Sequence, residues 1–461
     1  MQVKNRWNKL SRLAGAGALS LAVLLGNVLP AHAEAVPVAP AVSPWSISTL
    51  TEGEKYGIFP LGWYTDGTFQ QSITAEKFKS LMNATAVKLD KLELKKKDAA
   101  LSFTADGAIT RETVITALHK LLATYELPEA FGMNESQPIE YMQQKGIVKG
   151  TLVGLELDKP ITVEQAAVMS SRLVEFTYDT LGKGSEGMMW KVSKGKNTLY
   201  LLGSIHMGNN DMYPMQKDIR EAFDKSDNMW VEVDTLNSDM TYFLNQMQYQ
   251  EGKQLKDHVS AATYEKLQKV LTKLKLPANS FDAYKPFAIS LNLTNLSYYE
   301  NPTEMMIGLN TGVENYFISK ALLTGKPIHE LESIKLQADL FSSVPAEQQE
   351  KELNVMLDAL LTDNGQKDIA KGLKQMQLEW IEGDVEGLAT YFTEIEKEAA
   401  SETNKRLLGE RDKNMARKLA DMLEKEGENT SFVVVGAGHF VTKGMMIDLL
   451  KEKGYDVQLV K

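Results

Sequence analysis

Thr198-Leu199-Tyr200-Leu201-Leu202 runs directly into Gly203-Ser204-Ile205-His206, and much later Phe432-Val433-Val434-Val435 runs into Gly436-Ala437-Gly438-His439. Each stretch is a short apolar run, typical of a buried strand, followed by the pattern G-x-x-H. Glycine lets the chain turn sharply at the end of a strand and approach a ligand closely. Because ligands bind at the carboxyl ends of strands in open α/β sheets, we expect both histidines to converge on one metal or one substrate.

A third strand is predicted from Met229 to Asp234, and it carries two acids. Side chains alternate along a strand, so Glu232 and Asp234 are expected on the same face. A buried acid in an apolar strand needs a partner, and a metal ion or a histidine would serve. The alternative is that Glu232 lies on the surface of an edge strand.

Three histidines lack a comparable context and are interpreted as structural or surface residues: His119, His258 and His329.

The composition is that of a globular protein, and it excludes several functional classes. The chain has 461 residues, of which 43% are hydrophobic and 24% charged, and this length suggests two or three folding units. Acidic residues outnumber Lys and Arg by 61 to 51. That balance argues against nucleic-acid binding, which needs clustered positive charge. The sequence contains no cysteine, which excludes disulfides, thiolate metal sites and cysteine nucleophiles.

Residues 1–33 have the pattern of a secretory signal peptide. A basic start is followed by an apolar run from Leu13 to Leu29 and by the small-x-small pattern Ala31-His32-Ala33. The alternative is an uncleaved anchor, since the run is near the length that spans a bilayer. Residues 34–44 read as an extended Pro/Ala linker. The sequence therefore predicts a secreted, extracellular protein.

A degenerate repeat occupies residues 45–180. Thr at a helix start can accept a backbone N–H, and an early acid suits the positive end of the helix. With short helices ending near Gly57 and Gly146, the repeat resembles S-layer homology modules. That resemblance implies attachment to a secondary cell-wall polymer, with Arg111 as the matching basic residue; the alternative is a small helical domain without a ligand. Three tetrapeptides each precede an apolar-periodic helix: Ile73-Thr74-Ala75-Glu76, Ile109-Thr110-Arg111-Glu112 and Ile161-Thr162-Val163-Glu164.

Residues 188–461 resemble the TraB/PrgY/GumN family, which includes the animal TIKI proteins. The order and spacing of the matching stretches agree across the whole domain. Two positions depart from the family pattern, because Ser204 stands where threonine is usual and Asp412 stands where asparagine is frequent. The matching stretches are Trp190-Lys191-Val192, Tyr200 to Gly208, Tyr213-Pro214, Val231-Glu232-Val233-Asp234, Gly312-Val313-Glu314, Gly325-Lys326-Pro327, Leu331-Glu332, Gly409-Glu410-Arg411-Asp412, Gly436 to Phe440 and Gly454-Tyr455.

This resemblance implies an α/β fold in which helices flank a central β-sheet, preceded here by the small helical S-layer-like domain. It also implies a site built from the two G-x-x-H histidines and from carboxylates. TIKI proteins are metal-dependent proteases that trim secreted ligands, and the PrgY and TraB members are linked to the shutdown of peptide pheromones. Related folds include erythromycin esterases and a haem-binding lipoprotein, so the fold alone does not define the activity.

The resulting hypothesis is a cell-wall-associated, metal-dependent hydrolase that cleaves extracellular peptides. His206 and His439 would hold a divalent cation through neutral imidazoles. Glu232 would either ligate the cation or accept the proton of the attacking water. A ligand set of histidine and carboxylate without thiolate suits Zn, Mn, Co or Fe.

Three further residues are candidates for this site. Arg411 would hold a substrate carboxylate or stabilise the developing oxyanion. Its alternative is a surface ion pair with Glu410 or Asp412. Glu314 and Glu332 are second candidates, and Glu314 is also expected near the start of a helix, where an acid is favoured in any case.

Two other functions remain open. The protein could sequester a peptide, haem or metal without turnover, with a Tyr or His near these loops as the haem ligand. It could also be a surface scaffold with a decayed site.

Residues 240–405 are predicted to be mostly amphipathic helix, and the apolar stripe from Tyr264 to Leu274 is expected to belong to the core.

Overall fold

The computed structural model describes residues 42–97, 103, 107–150, 153–235, 237–299, 301–398 and 409–460. The predicted signal peptide at 1–33 lies outside these residues, as does the linker as far as residue 41. In the part of the chain that the structure describes, no helix combines the length and the apolar character needed to cross a membrane.

The chain forms two compact units. The sheet unit contains Glu186–Asn209 and the described residues from Asp218 onward, and the helical unit contains the described residues up to Ser185 together with Asn210–Lys217. The sequence analysis placed this last segment among residues 188–461. It joins the helical unit because its backbone pairs with Ser185, through Ser185 N to Pro214 O and Gln216 N to Ser185 O, both at 2.9 Å.

The helical unit contains the three predicted capped helices. In each, the threonine of the Ile-Thr-x-Glu motif accepts a backbone N–H three residues on, which confirms the predicted caps. Thr162 also donates its own backbone N–H to the side chain of Gln165, at 3.3 Å, and so completes a capping box. The α-helices are α1 (Ile47–Lys55), α2 (Ala75–Asp90), α3 (Arg111–Ala123), α4 (Pro138–Gln144) and α5 (Val163–Thr180), with 3-10 turns at Leu61–Tyr64, Glu129–Phe131 and Asn210–Met212.

The three motifs lie side by side. Ile73 N donates to Ile161 O at 2.9 Å, and Ile161 N donates to Ile109 O at 3.0 Å, so the third motif lies between the other two. All three isoleucines are buried. Arg111, the basic residue proposed for polymer binding, is also buried, and its guanidinium donates to the carbonyl oxygens of Leu155 and Lys149. Its charge is therefore used to fix a loop of its own unit.

The sheet unit is built on a mixed six-stranded β-sheet flanked by helices, which confirms the predicted α/β class. The strand order is β4-β3-β5-β2-β1-β6. β4, β3, β5 and β2 run parallel to one another, whereas β1 is antiparallel to both β2 and β6. The strands are β1 (Met188–Lys194), β2 (Asn197–Ser204), β3 (Asn228–Val231), β4 (Ile328–Glu330), β5 (Asn429–Gly436) and β6 (Val457–Leu459).

The apolar runs quoted from the sequence form the centre of this sheet. Phe432 to Val435 of β5 are fully buried, as expected for a parallel strand covered on both faces. β1 and β2 form a hairpin around Gly195 and Lys196. The helices of this unit are α6 (Lys217–Lys225), α7 (Thr241–Met247), α8 (Ala261–Lys273), α9 (Pro286–Ser297), α10 (Pro302–Asn310), α11 (Val313–Thr324), α12 (Ile334–Ser342), α13 (Ala346–Leu361), α14 (Gly365–Glu382), α15 (Val385–Glu398), α16 (Glu410–Glu424), α17 (Gly438–Val441) and α18 (Met446–Glu452), with a 3-10 turn at Leu255–Asp257.

One predicted strand is shorter in the structure. β3 ends at Val231, so Glu232 and Asp234 do not share a strand face as predicted. Asp234 instead closes a turn, where its carboxylate accepts from the backbone N–H and the side-chain amide of Asn237. The local turn contacts replace strand pairing because an aspartate readily binds backbone groups a few residues ahead.

Candidate functional site

The two G-x-x-H motifs leave the sheet side by side. β2 and β5 are parallel neighbours, and Ser204 pairs with Gly436 in their register. A Cβ atom at Gly203 would lie 3.1 Å from the Cα of Ala437, so glycine permits the close approach of the two motifs. Both histidines therefore emerge at the carboxyl ends of adjacent central strands, where α/β sheets bind ligands.

His206 is oriented by a glutamate. Its Nδ1 lies 2.7 Å from Oε1 of Glu314, and the hydroxyl of Ser204 donates to the same oxygen. Glu314 lies in the first turn of α11. The start of this helix contacts the segment before His206, because Val313 N donates to Ile205 O at 3.1 Å. A Cβ at Gly312 would lie 2.1 Å from the carbonyl oxygen of His206, so only glycine fits there.

Helix α14 supports the loop that carries His206. Gln377 donates from Nε2 to Met207 O at 2.8 Å, and Trp380 donates from Nε1 to Gly203 O at 2.7 Å. Both side chains are buried. The sequence analysis did not identify them. A buried glutamine in an apolar helix stripe leaves no local signal of which carbonyl it binds.

His439 is oriented by an aspartate. Its side chain is 1% exposed, and its Nδ1 lies 3.0 Å from Oδ1 of Asp412, which is itself 0% exposed. The other carboxylate oxygen of Asp412 accepts the backbone N–H of Gly409 at 2.9 Å, at the start of α16. The sequence analysis named Asp412 as a departure from the family pattern and as an alternative ion-pair partner of Arg411, but not as a partner of His439. Its contact with His439 joins residues that the sequence gives no reason to pair.

Arg411 joins the two glutamates that follow β3 and β4. Its Nε lies 3.1 Å from both carboxylate oxygens of Glu332, and its Nη2 donates to Glu332 Oε2 and to Glu232 Oε1. The backbone N–H of Glu332 donates to Glu232 O at 2.9 Å, and Gln337 Nε2 donates to Glu232 Oε1 at 2.7 Å. Arg411, Glu232 and Glu332 are all buried, so the surface alternatives for Arg411 and Glu232 are wrong.

Glu232 is buried beside a positive charge. Burial alone would raise the pKa of Glu232, but nearby positive charge, above all that of Arg411, lowers it below the ordinary value. Burial also opposes the charge of Arg411, yet Glu232 and Glu332 raise the pKa of its guanidinium. The carboxylate and the guanidinium are therefore both held in their charged forms.

Some acceptor atoms in this cluster have no hydrogen-bond partner among the described residues: Glu232 Oε2, Glu314 Oε2 and His439 Nε2. Glu232 Oε2 lies 3.9 Å from His439 Nε2. Such unpartnered, buried acceptors suit a cation, and imidazole and carboxylate are suitable ligands for a divalent metal. His439 Nε2 and Glu232 Oε2, which face each other, are thus available as two ligand atoms. No set of three or more His, Asp or Glu side chains within the described ranges already has the geometry to hold a metal ion.

The other three histidines in the part of the chain that the structure describes lie outside this cluster, as expected. His119 is buried, and its Nε2 contacts Asn134 O at 2.9 Å. His258 is exposed and stacks on Tyr249. His329 is also exposed and packs on the ring of Trp230. The interpretation of all three as structural or surface residues is confirmed.

The chain is similar to known proteins over part of its length. The profile of the TraB/PrgY/gumN family matches residues 188–459. A curated protein of Nematostella vectensis, named Metalloprotease TIKI homolog, is 40% identical over 55 residues, which are 12% of this chain and 12% of that protein. The match therefore spans only a small part of that relative. No solved structure matches the chain. Since the family profile covers more than half of the sequence, including both G-x-x-H motifs, the chain belongs to the TraB/PrgY/gumN family.

Proposed function

We propose that the sheet unit is a metal-dependent hydrolase that cleaves peptides. The observation that carries this proposal is the placement of His206 and His439 at the ends of adjacent parallel strands, both within electrostatic reach of the buried Glu232. Membership of the TraB/PrgY/gumN family supports it. The short match to a protein named as a metalloprotease supports the choice of a peptide as the substrate.

The residues that would hold the cation are His439, through Nε2, Glu232, through Oε2, and His206. When bound, a divalent cation supplies Lewis acidity and lowers the pKa of a coordinated water toward about 7. Glu314 and Asp412 each engage the Nδ1 atom of one histidine. A carboxylate on the second ring nitrogen fixes the ring and strengthens the ligand, as is usual around protein metal sites.

Glu232 is the residue best placed to accept a proton from water. One of its oxygens is held by Arg411 and Gln337, while Oε2 makes no hydrogen bond among the described residues. The lowered pKa of Glu232 keeps its carboxylate ionised, so Oε2 carries no proton of its own. Arg411 is already bound to two glutamates, so in this proposal it acts by holding Glu232 and does not contact the substrate.

Access to the cluster is asymmetric. The side chain of His206 is 16% exposed, and that of its partner Glu314 is 13% exposed, whereas His439 and Asp412 are almost fully enclosed. A substrate would therefore approach from the side of His206 and Glu314. In the enclosed half, fixed charges act in a low dielectric and have the largest effect on reacting groups.

The cellular setting is part of the same proposal. The pattern of residues 1–33 supports secretion, and the three Ile-Thr-x-Glu motifs support association with the cell wall. Because Arg111 is buried and bound to backbone carbonyls, binding of a wall polymer would have to use other residues of the helical unit.

The experiment uses the full-length protein. Bound metal is measured after separate loading with Zn, Mn, Co and Fe, and cleavage of a peptide library is compared with that by His206→Ala, His439→Gln and Glu232→Gln. We expect metal uptake and turnover in the native protein and loss of turnover in all three variants. The matched control is His258→Ala, because His258 is exposed and stacks on a tyrosine outside the cluster.

Two outcomes would contradict the proposal. Native protein that takes up metal, haem or peptide without turnover would instead be a binding protein, and haem binding would show as a Soret band. Full turnover in His206→Ala and His439→Gln would show that the catalytic site lies elsewhere.

A further inference from the structure

We infer that Asp412 is a positioning residue that fixes His439 as the Nδ1–H tautomer and so directs the lone pair of Nε2 toward Glu232. The inference deepens the proposed function and rests on it for its catalytic meaning. Its structural content, the tautomer of one buried imidazole, can be tested whether or not the protein is a hydrolase.

The first step concerns the state of Asp412. Its Oδ2 accepts the backbone N–H of Gly409 at 2.9 Å, and this N–H can only donate. The carboxylate also lies in the first turn of α16, where the helix dipole favours negative charge. A carboxylate can only accept hydrogen bonds.

The second step concerns the ring of His439. Because Asp412 accepts at both oxygens, the 3.0 Å contact with Nδ1 is a hydrogen bond only if Nδ1 carries a proton. In a neutral imidazole the other nitrogen then carries a lone pair. Nε2 is buried, has no hydrogen-bond partner among the described residues, and lies 3.9 Å from Glu232 Oε2.

The third step explains why an aspartate is suited to this position. A carboxylate serves the Gly409 N–H and the His439 Nδ1–H at once. An asparagine has one carbonyl oxygen and one NH₂ group, so it can accept from only one of them. If its NH₂ faced Nδ1, the ring would favour the opposite tautomer, with a proton on Nε2.

The test measures the tautomer directly. Full-length protein with ¹⁵N-labelled histidine rings is compared with Asp412→Ala and Asp412→Asn at about pH 8, above the ordinary histidine pKa. The His439 signals are assigned by their loss in His439→Gln. We expect the native protein to favour Nδ1–H by about tenfold or more, as for a hydrogen bond to a charged group.

In Asp412→Ala and Asp412→Asn the excess of the Nδ1–H tautomer of His439 should shrink, disappear or reverse. The tautomers of the other histidines should not change. Asp412→Asn has almost the same volume as the native residue and provides the answer if Asp412→Ala fails to fold. The control is Asp448→Asn. Asp448 also accepts a glycine N–H, from Gly444 at 2.7 Å, but no hydrogen bond joins it to a histidine among the described residues. An unchanged His439 tautomer in Asp412→Asn and Asp412→Ala would overturn the inference.

A second measurement separates this inference from the proposed function. Zn²⁺ affinity is measured by calorimetry for the same proteins, and we expect Asp412→Ala to bind about 10- to 100-fold more weakly than native. If the native protein binds no Zn²⁺ and cleaves no peptide, the proposed function fails, but the tautomer ratio still decides the role of Asp412.

Discussion

Ser204 and Gly436 are register partners on neighbouring parallel strands, and each lies two or three residues before a histidine of the site. This pairing brings together two motifs that lie at opposite ends of the sheet unit in sequence. The two strand ends approach closely next to this pair, since a Cβ atom at Gly203 would lie only 3.1 Å from the Cα of Ala437. The function proposed above depends on this one register.

Replacement of Arg411 by methionine should destabilise the sheet unit. Arg411 is the cation bound by the buried carboxylates of Glu232 and Glu332, and its loss would leave both charges uncompensated. We expect the free energy of unfolding to fall by about 3–5 kcal/mol. The measurement is hydrogen exchange of the β5 amides in increasing urea. Arg417→Met is the control, because Arg417 is exposed on the same helix and contacts Asn414. Equal stability of the two variants would rule out a structural role for the Arg411 network.

Replacement of Gln377 by leucine should loosen the loop that carries His206. Gln377 donates to Met207 O and accepts from the side chain of Asn209 at 2.7 Å, so it fixes both sides of this loop. We expect amide exchange of residues 205–209 to accelerate by about 10- to 100-fold, because two hydrogen bonds of about 1 kcal/mol each are lost. The matched control is Gln375→Leu, an exposed position on the same helix. The prediction is wrong if both variants exchange at the native rate.

The stability of the helical unit should increase with pH because of Lys88. Burial lowers the pKa of Lys88 to about 7 from an ordinary value of 10.5, and the nearby Lys91 also lowers it, whereas Asp211 raises it. Between pH 7 and pH 10.5 the unfolded chain keeps a proton on Lys88 that the folded protein has lost, so unfolding becomes less favourable as pH rises. The slope can reach about 1.4 kcal/mol per pH unit.

The check is denaturation of the helical unit at pH values between 7 and 10. Lys88→Met should remove the rise, because the methionine has no proton to lose. Lys79→Met is the control, since Lys79 is exposed on the same helix and does not contribute to the pKa shift of Lys88. Parallel curves for native protein and Lys88→Met would show that Lys88 is not the cause.

Replacement of Thr162 by alanine should destabilise the helical unit by about 0.5–2 kcal/mol, the usual effect of losing an N-cap. Thr162 caps α5 reciprocally with Gln165. Thr180→Ala is the control at the other end of the same helix, where the hydroxyl donates to Phe176 O. Thermal unfolding of both variants provides the measurement. A larger effect at Thr180 would show that the capping box contributes little.

The sequence by itself determined the features that depend on neighbouring residues. The apolar runs before His206 and His439 defined two buried strands, and threonine followed by glutamate defined three helix starts. Strand burial, helix capping and the hairpin near Gly195 depend on residues a few positions apart, so their signals lie within a short window. The nature of the candidate site followed from the same motifs.

Only the tertiary structure decided which side chains meet. Arg411 and Glu332 are 79 positions apart, and a sequence pattern does not indicate that they form a buried pair. The same holds for Asp412, which the fold places against His439. These features depend on strand order and helix packing, and such long-range contacts are set by the burial of the whole core and not by local preference.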